Sequence, residues 1–210
     1  MTVKKLACLI CVSLILTACS AIKVPVSHQY KLDAFSAQTT GHKKTNLTLL
    51  VSVPEALAGN QTEQIHYLQK PYALDSFVNN AWVSSPANMI YPLIIESLQK
   101  THYFHAVASG PYADRANYRL DTQLISLQQN FQVKPSIVDL VVHGVITHIE
   151  DNRIVASRTF HERAISPSDT PYGGVIAANL AVKTFTSNLS SFVVKEIEND
   201  SKIVRNNSQK

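Results

Sequence analysis

Residues 118–126 alternate without a break: Tyr118, Leu120, Thr122, Leu124 and Ser126 share one face, and Arg119, Asp121, Gln123 and Ile125 the other. Successive side chains of a strand point to opposite faces, so this pattern specifies a half-buried strand with one wet face. Such a strand needs partners. Residues 137–149 are a long β-branched run, residues 150–153 (Glu-Asp-Asn-Arg) have turn chemistry, and residues 154–165 return antiparallel to that run. The buried face also needs a cover, which two segments supply. Ser84-Ser85-Pro86 opens a helix, with serine at the N-cap and proline at the first helical position. Ile90, Ile94 and Leu98, with Met89 and Leu93 beside them, form its apolar stripe. Pro92 removes a bond to the carbonyl four residues back and is expected to kink this helix; alternatively, the regular helix begins nearer Tyr91. Gly173-Gly174 leads into a second helix, in which Val175, Ala178, Val182, Phe185, Leu189 and Phe192 recur at spacings of three and four. Each helix has one apolar face, so both cover the same sheet. The expectation is an α+β two-layer sandwich: a mainly antiparallel sheet covered on one face by two helices.

The remaining segments fill in that plan. Residues 47–53 are a β-rich apolar run ended by Pro54, read as a central strand buried on both faces. Residues 30–35 alternate as a short strand, 41–45 are a polar break and 55–61 a loop. Residues 64–68 and 72–77 are shorter extended pieces, and 103–108 a strand closed by Gly110-Pro111. Residues 199–210 are polar and read as a frayed tail.

The amino terminus is a leader. Lys4 and Lys5 supply its charge, residues 6–18 are apolar, and Leu16-Thr17-Ala18-Cys19 resembles a lipobox. Cleavage before Cys19 would expose a cysteine whose thiol and new amino group are then acylated. The 13 residues from 6 to 18 are too few to span a bilayer, which takes roughly 20. The mature chain is therefore expected to hang from lipid at Cys19, and several acyl chains on one residue give stable attachment. The other reading is an ordinary secretory signal cut after Ala18. Ser20 stands where an aspartate would retain such a protein in the inner membrane, which points to the periplasmic face of the outer membrane. The organisation expected is a signal peptide (1–18), a lipidated tether (19–28), a single α+β domain (29–198) and a flexible tail (199–210).

Composition then excludes several chemistries. Cys8 and Cys11 leave with the leader and Cys19 carries lipid, so no thiol remains for a disulfide, a cysteine nucleophile or a zinc–thiolate site. The net charge of +4 falls to +2 once Lys4 and Lys5 are removed, too little to argue for nucleic acid. No cofactor is indicated. Among the eight histidines, His102 and His105 are three apart, and His143, His148 and His161 lie on the proposed hairpin. His143 and His148 differ by an odd number and so face opposite sides of one strand, which argues against a shared metal site. No Gly-x-Ser-x-Gly elbow is present, and Ser109-Gly110 lacks the preceding glycine. Asp114, Asp121, Asp139 and Asp151 stand at solvated strand or turn positions. Gly173-Gly174 could form an anion nest, but a permissive turn that aims the last helix is the simpler reading. Tyr67, Tyr72, Phe77, Trp82, Tyr91, Tyr103 and Phe104 cluster around the first helix. Core packing accounts for most of them, and a groove for an acyl chain or a partner segment is the alternative.

In order, Tyr30 and Leu32, the run 47–54, Ile65-x-Tyr67, Ala81-Trp82, Pro86 with Met89, Leu98, Phe104-x-x-Val107, 116–120, the two long hairpin strands and the helix around Ala177, Ala178 and Ala181 resemble the ABC-type transport auxiliary lipoproteins. These are the lipoprotein partners of MCE-domain lipid transporters, of the paraquat-inducible third-component type. The chain departs from the family pattern at Pro92 and in having a single proline at the start of the first helix. The resemblance implies a non-catalytic binding component of an intermembrane lipid transport system, docked on a hexameric, periplasm-spanning MCE protein. It supplies no catalytic residue. An assembly lipoprotein like the lipopolysaccharide-assembly plug and a periplasmic envelope enzyme are the competing readings.

Overall fold

The computed structural model describes residues 27–39, 41–110 and 116–207. Cys19, the leader and nearly all of the tether lie outside the described residues. Among those described, no helix is long and apolar enough to cross a membrane.

The spine of the molecule is β7 (Tyr118–Asn130), in which Tyr118, Leu120, Thr122 and Leu124 are buried as expected. A bulge between Leu124 and Ser126 then shifts the buried set to Leu127 and Gln129, so Ser126 leaves the expected face. One edge pairs along its whole length with antiparallel β8 (Ile137–His148), which pairs in turn with antiparallel β9 (Arg153–Ile165). The other edge takes three short parallel strands end to end. These are β2 (Thr48–Val51) beside Tyr118–Leu120, β3 (Glu55–Ala56) beside Gln123 and Leu124, and β4 (Gln64–Lys70) beside Gln128–Asn130. Strand β4 folds back antiparallel on β5 (Ala73–Trp82), and β1 (His28–Tyr30) adds to β5 in parallel. Strand β6 (Ala106–Ser109) closes the far side of β2. The three longest strands are thus antiparallel, as their periodicity requires, while parallel ladders on the opposite edge make the sheet mixed. Leu49, Leu50 and Val51 are all buried, as a strand covered on both faces must be.

Both helices lie on one face of the sheet, giving the α+β sandwich. Helix α1 (Pro86–Lys100) starts at the expected proline and runs unbroken through Pro92, which is exposed. Its wet side tolerates the lost backbone bond, because water can take the freed carbonyl. Ser85 occupies the N-cap position but its side chain makes no capping bond. Helix α2 (Pro171–Asn207) buries Val175, Ala178, Val182, Phe185, Leu189 and Phe192 over β8 and β9. Where the helices touch, the Ser97 hydroxyl donates to the Thr186 carbonyl (3.1 Å) and lies 2.9 Å from that of Ser190.

Several boundaries differ from the sequence reading: β3 stands in the expected loop 55–61, β6 covers Ala106–Ser109 in place of the expected strand over 103–108, and β5 runs on to Trp82. Two more have a visible cause. The expected strand at 30–35 ends at Tyr30, and β1 begins at His28, one residue inside the expected tether. Beyond it the amides of Asp33 and Ala34 donate to the Asn179 side chain (2.9 and 3.2 Å), whose amide donates to the Lys31 carbonyl. Helix α2, not a strand, satisfies this backbone. The second difference is the tail. Residues 199–207 continue α2, because Asp200 is buried in an ion pair that holds the last turns to the sheet.

Candidate functional site

The two ends of β7 differ in chemistry. At its start, a cleft of about 640 Å³ opens between the segment leading into β2, the β8–β9 turn and the carboxyl-terminal part of α2. Lys43, Lys44, Glu150 and Glu198 line it together with Tyr118 and His148. Tyr118 ties it to a polar network in which Tyr118 and Asp200 are buried and Arg153 is exposed. The Arg153 guanidinium donates to both Asp200 oxygens (2.7 and 3.2 Å), and the Tyr118 hydroxyl donates to Oδ2 (3.0 Å). Burial and its bond to Asp200 raise the Tyr118 hydroxyl far above its usual range, so it stays protonated and donating. Burial opposes ionisation of Asp200, but the bonds from Arg153 and Tyr118 outweigh it and hold the carboxyl below the usual carboxylate range. At the turn, the His148 imidazole 2.7 Å from Asp151 pulls that carboxyl down to about 2, aided by the Arg153 amide and guanidinium. Asn152 supplies the left-handed residue the turn requires (φ 54°). Glu198 is paired to Lys202 and to His42, both at 3.1 Å. The cleft therefore offers a rigid, mixed-charge mouth whose buried members are already committed to one another.

At the opposite end, the β4–β5 hairpin reaches past the sheet. Tyr67, Phe77 and Phe131 stack at its base, with ring centroids 4.5 to 6.3 Å apart. Beyond them Leu74 and Tyr72 are exposed, Tyr72 completely, and Val78 is exposed beside Phe77. The seven aromatic residues grouped by sequence thus divide. Trp82, Tyr103 and Phe104 are core, and Tyr91 is half-buried with its hydroxyl donating to the Val51 carbonyl (3.2 Å). Tyr67, Phe77 and Tyr72 belong to the projecting hairpin.

The other candidates separate as well. His143 faces the open side of the sheet, 2.9 Å from the Thr159 hydroxyl, whereas His148 packs against Tyr118 on the helix side. No group of three His, Cys, Asp or Glu among the described residues could hold a metal. Asp121 accepts from Ser52 (2.6 Å) and Arg119 (2.8 Å), and Asp139 accepts from Arg163 (2.8 Å). Gly173 and Gly174 sit in the first turn of α2, where the Thr170 hydroxyl accepts from the Gly173 amide (3.1 Å). Both glycines are demanded by close approach. A Cβ on Gly173 would lie 2.1 Å from the Ser168 carbonyl oxygen, and one on Gly174 would lie 2.2 Å from Oε1 of buried Gln129. The Arg153–Asp200–Tyr118 network was missed because residues 199–210 are polar in bulk. Asp200 nevertheless extends the buried stripe of Val193 and Ile197 at spacings of four and three, which marks an inward position.

Solved structures share this architecture. Protein XCC0632 from Xanthomonas campestris is 19% identical with a TM-score of 0.76, covering 83% of this chain and 99% of that one. An uncharacterised protein is 14% identical with a TM-score of 0.66, covering 80% and 99%. At these identities the likeness is one of fold. No curated protein matches the sequence. The family model described as the ABC-type transport auxiliary lipoprotein component matches residues 30–189, from the end of β1 to the middle of α2. Strands β2 to β9, helix α1 and the first half of α2 lie within that match, and the chain belongs to the ABC-type transport auxiliary lipoprotein family.

Proposed function

We propose that this protein is a lipoprotein acylated at Cys19, held on the periplasmic face of the outer membrane, and that it is a non-catalytic docking component of an MCE-type intermembrane lipid transport system. The family match over residues 30–189 carries the reading. The lipobox at residues 16–19 and Ser20 support the anchor and its membrane. A polar network closed on itself beside the cleft suits a rigid binding surface, since Asp200 and Tyr118 are engaged with each other and with Arg153.

The test is affinity purification of the tagged, full-length protein from native envelopes, with bound proteins identified by mass spectrometry. Recovery of an MCE-domain protein supports the assignment. Recovery of only a large outer-membrane barrel overturns it in favour of an assembly role. Cys19→Ala tests the anchor separately: the variant is expected to leave the membrane fraction while remaining folded, and a variant that still sediments with outer membranes refutes the acyl anchor.

A further inference from the structure

Tyr72 is an outlier three times over. It has a left-handed backbone (φ 65°), it is completely exposed, and it caps the tip of a hairpin that projects past the sheet. With Pro71 before it, this position is the one at which a turn of this kind favours glycine. A tyrosine there costs backbone strain and gains no packing, so stability does not account for it. Leu74 and Val78 continue the exposed apolar surface down β5, and Lys70 flanks the tip. Tyrosine beside aliphatic and basic side chains is the composition of a segment seated at a lipid–water boundary.

The direction of the chain says what lies opposite this tip. Strand β1 runs parallel to β5, with His28 beside Asn80 and Tyr30 beside Trp82. Strand β5 runs from the tip towards Trp82, so the chain enters β1 from the side on which the tip lies. Residues 77–80 of β5 bulge opposite Ile65, so the run from Ala73 to Ala81 spans only the six steps from Lys70 to Gln64 of β4, a rise of about 20 Å. Cys19 is nine residues before His28, a reach of at most about 30 Å. A lipid on Cys19 is therefore within reach of the level of the hairpin tip. The β7–β8 loop lies at this same end of the sheet and adds exposed Val133.

We infer that the β4–β5 hairpin is a membrane-seating arm: with the acyl anchor at Cys19, Tyr72 and Leu74 enter the lipid–water interface and fix the orientation of the domain on the bilayer. This rests on the anchor proposed above. The test uses full-length, lipidated protein on vesicles of phosphatidylethanolamine and phosphatidylglycerol. With the leader removed and Cys19 acylated, Tyr72→Cys and Glu150→Cys each provide one free thiol for an environment-sensitive fluorophore, at the hairpin tip and at the cleft. The label at position 72 is expected to shift to the blue and to be quenched by lipids brominated in the upper acyl chain, while that at position 150 stays in water. Protein that floats with the vesicles while its label at position 72 remains in water overturns the inference and leaves the anchor standing. Protein that fails to float and lacks the acyl mass refutes the anchor and the inference together. A label at position 72 that stays in water on vesicles, with a photocrosslinker at the same site capturing another polypeptide in whole envelopes, overturns it in favour of a protein partner.

Discussion

Replacing Gly174 by alanine sets two effects of opposite sign against each other. In a helix the change ordinarily stabilises by about 1 kcal/mol, because alanine loses less backbone freedom on folding. Here the new Cβ would lie 2.2 Å from Oε1 and 2.7 Å from Cδ of Gln129. That side chain must retreat by about 1 Å to restore ordinary contact. It is buried, and its Nε2 donates to the Ser136 hydroxyl (2.9 Å) and the Thr170 carbonyl (3.2 Å). The retreat breaks both bonds, and losing buried bonds of this kind costs about 1–2 kcal/mol each. Set against the gain from alanine, the net expectation is a loss of about 2 kcal/mol, or roughly 4–8 °C in Tm for a domain of this size. Urea denaturation followed through the fluorescence of Trp82, the only tryptophan, reads the change. The decisive comparison is a double-mutant cycle. In a Gln129→Ala background the obstacle is gone, and Gly174→Ala should become neutral or stabilising. An equal cost in both backgrounds, or a gain in the wild-type protein, would refute the steric argument.

Three other outcomes follow from the same structure. Asp200 is held ionised below the usual carboxylate range in the fold, and an unfolded aspartate titrates near ~3.9. Its contribution is therefore complete above that value and lost as pH falls through the folded value, so the stability difference between wild type and Asp200→Asn should be level from pH 5 to 7 and shrink below about pH 4; a difference that grows on acidification contradicts the ion pair. Trp82→Ala should cost about 3–5 kcal/mol, since the indole is 2% exposed, and an unchanged melting temperature would refute its place in the core. Tyr72→Gly should hold or raise the urea midpoint, because relief of left-handed strain worth about 1 kcal/mol offsets the freedom glycine adds to the unfolded chain; a clear drop would show that the tyrosine packs in the free protein.

What could be read from the sequence was what a repeating pattern determines locally. Strand β7 is legible from its period of two, β8 and β9 from a long β-branched run followed by turn chemistry at 150–153 and a returning segment, and both helices because their stripes repeat through several turns. Strands β2, β3 and β4 are short, and nothing in their residues says that all three line up on one edge of β7. That arrangement is set by loop lengths and by competition among distant partners. Asn179 was unreadable as a partner of residues 31–34, because an exposed asparagine in a helix carries no sign of what it bonds. The tip at Tyr72 was hidden for the opposite reason: the position calls for glycine, and the residue present contradicts the turn it makes. The cleft draws on widely separated segments, each polar and unremarkable alone.

Helix α2 joins the two ends of the molecule, and the joints differ in kind. Near its start the backbone of Gly174 presses on Gln129 of β7, a contact of shape. Near its end Asp200 is tied by charge to Arg153 and by a hydroxyl to Tyr118. The two residues are 26 positions apart, about 40 Å along the helix, and share no partner. Each joint fastens α2 to the same spine, because Gln129 and Tyr118 stand at opposite ends of β7. A domain oriented at its hairpin end therefore presents its cleft at a fixed height about 40 Å away, with no hinge among the long strands between. Independence of the joints is measurable. If β7 is the rigid element, the costs of Gly174→Ala and Asp200→Asn should add to within about 0.5 kcal/mol. If instead α2 shifts as a rod when either joint is cut, the second substitution will cost much less than the first, and orientation at the hairpin would not carry through to the cleft.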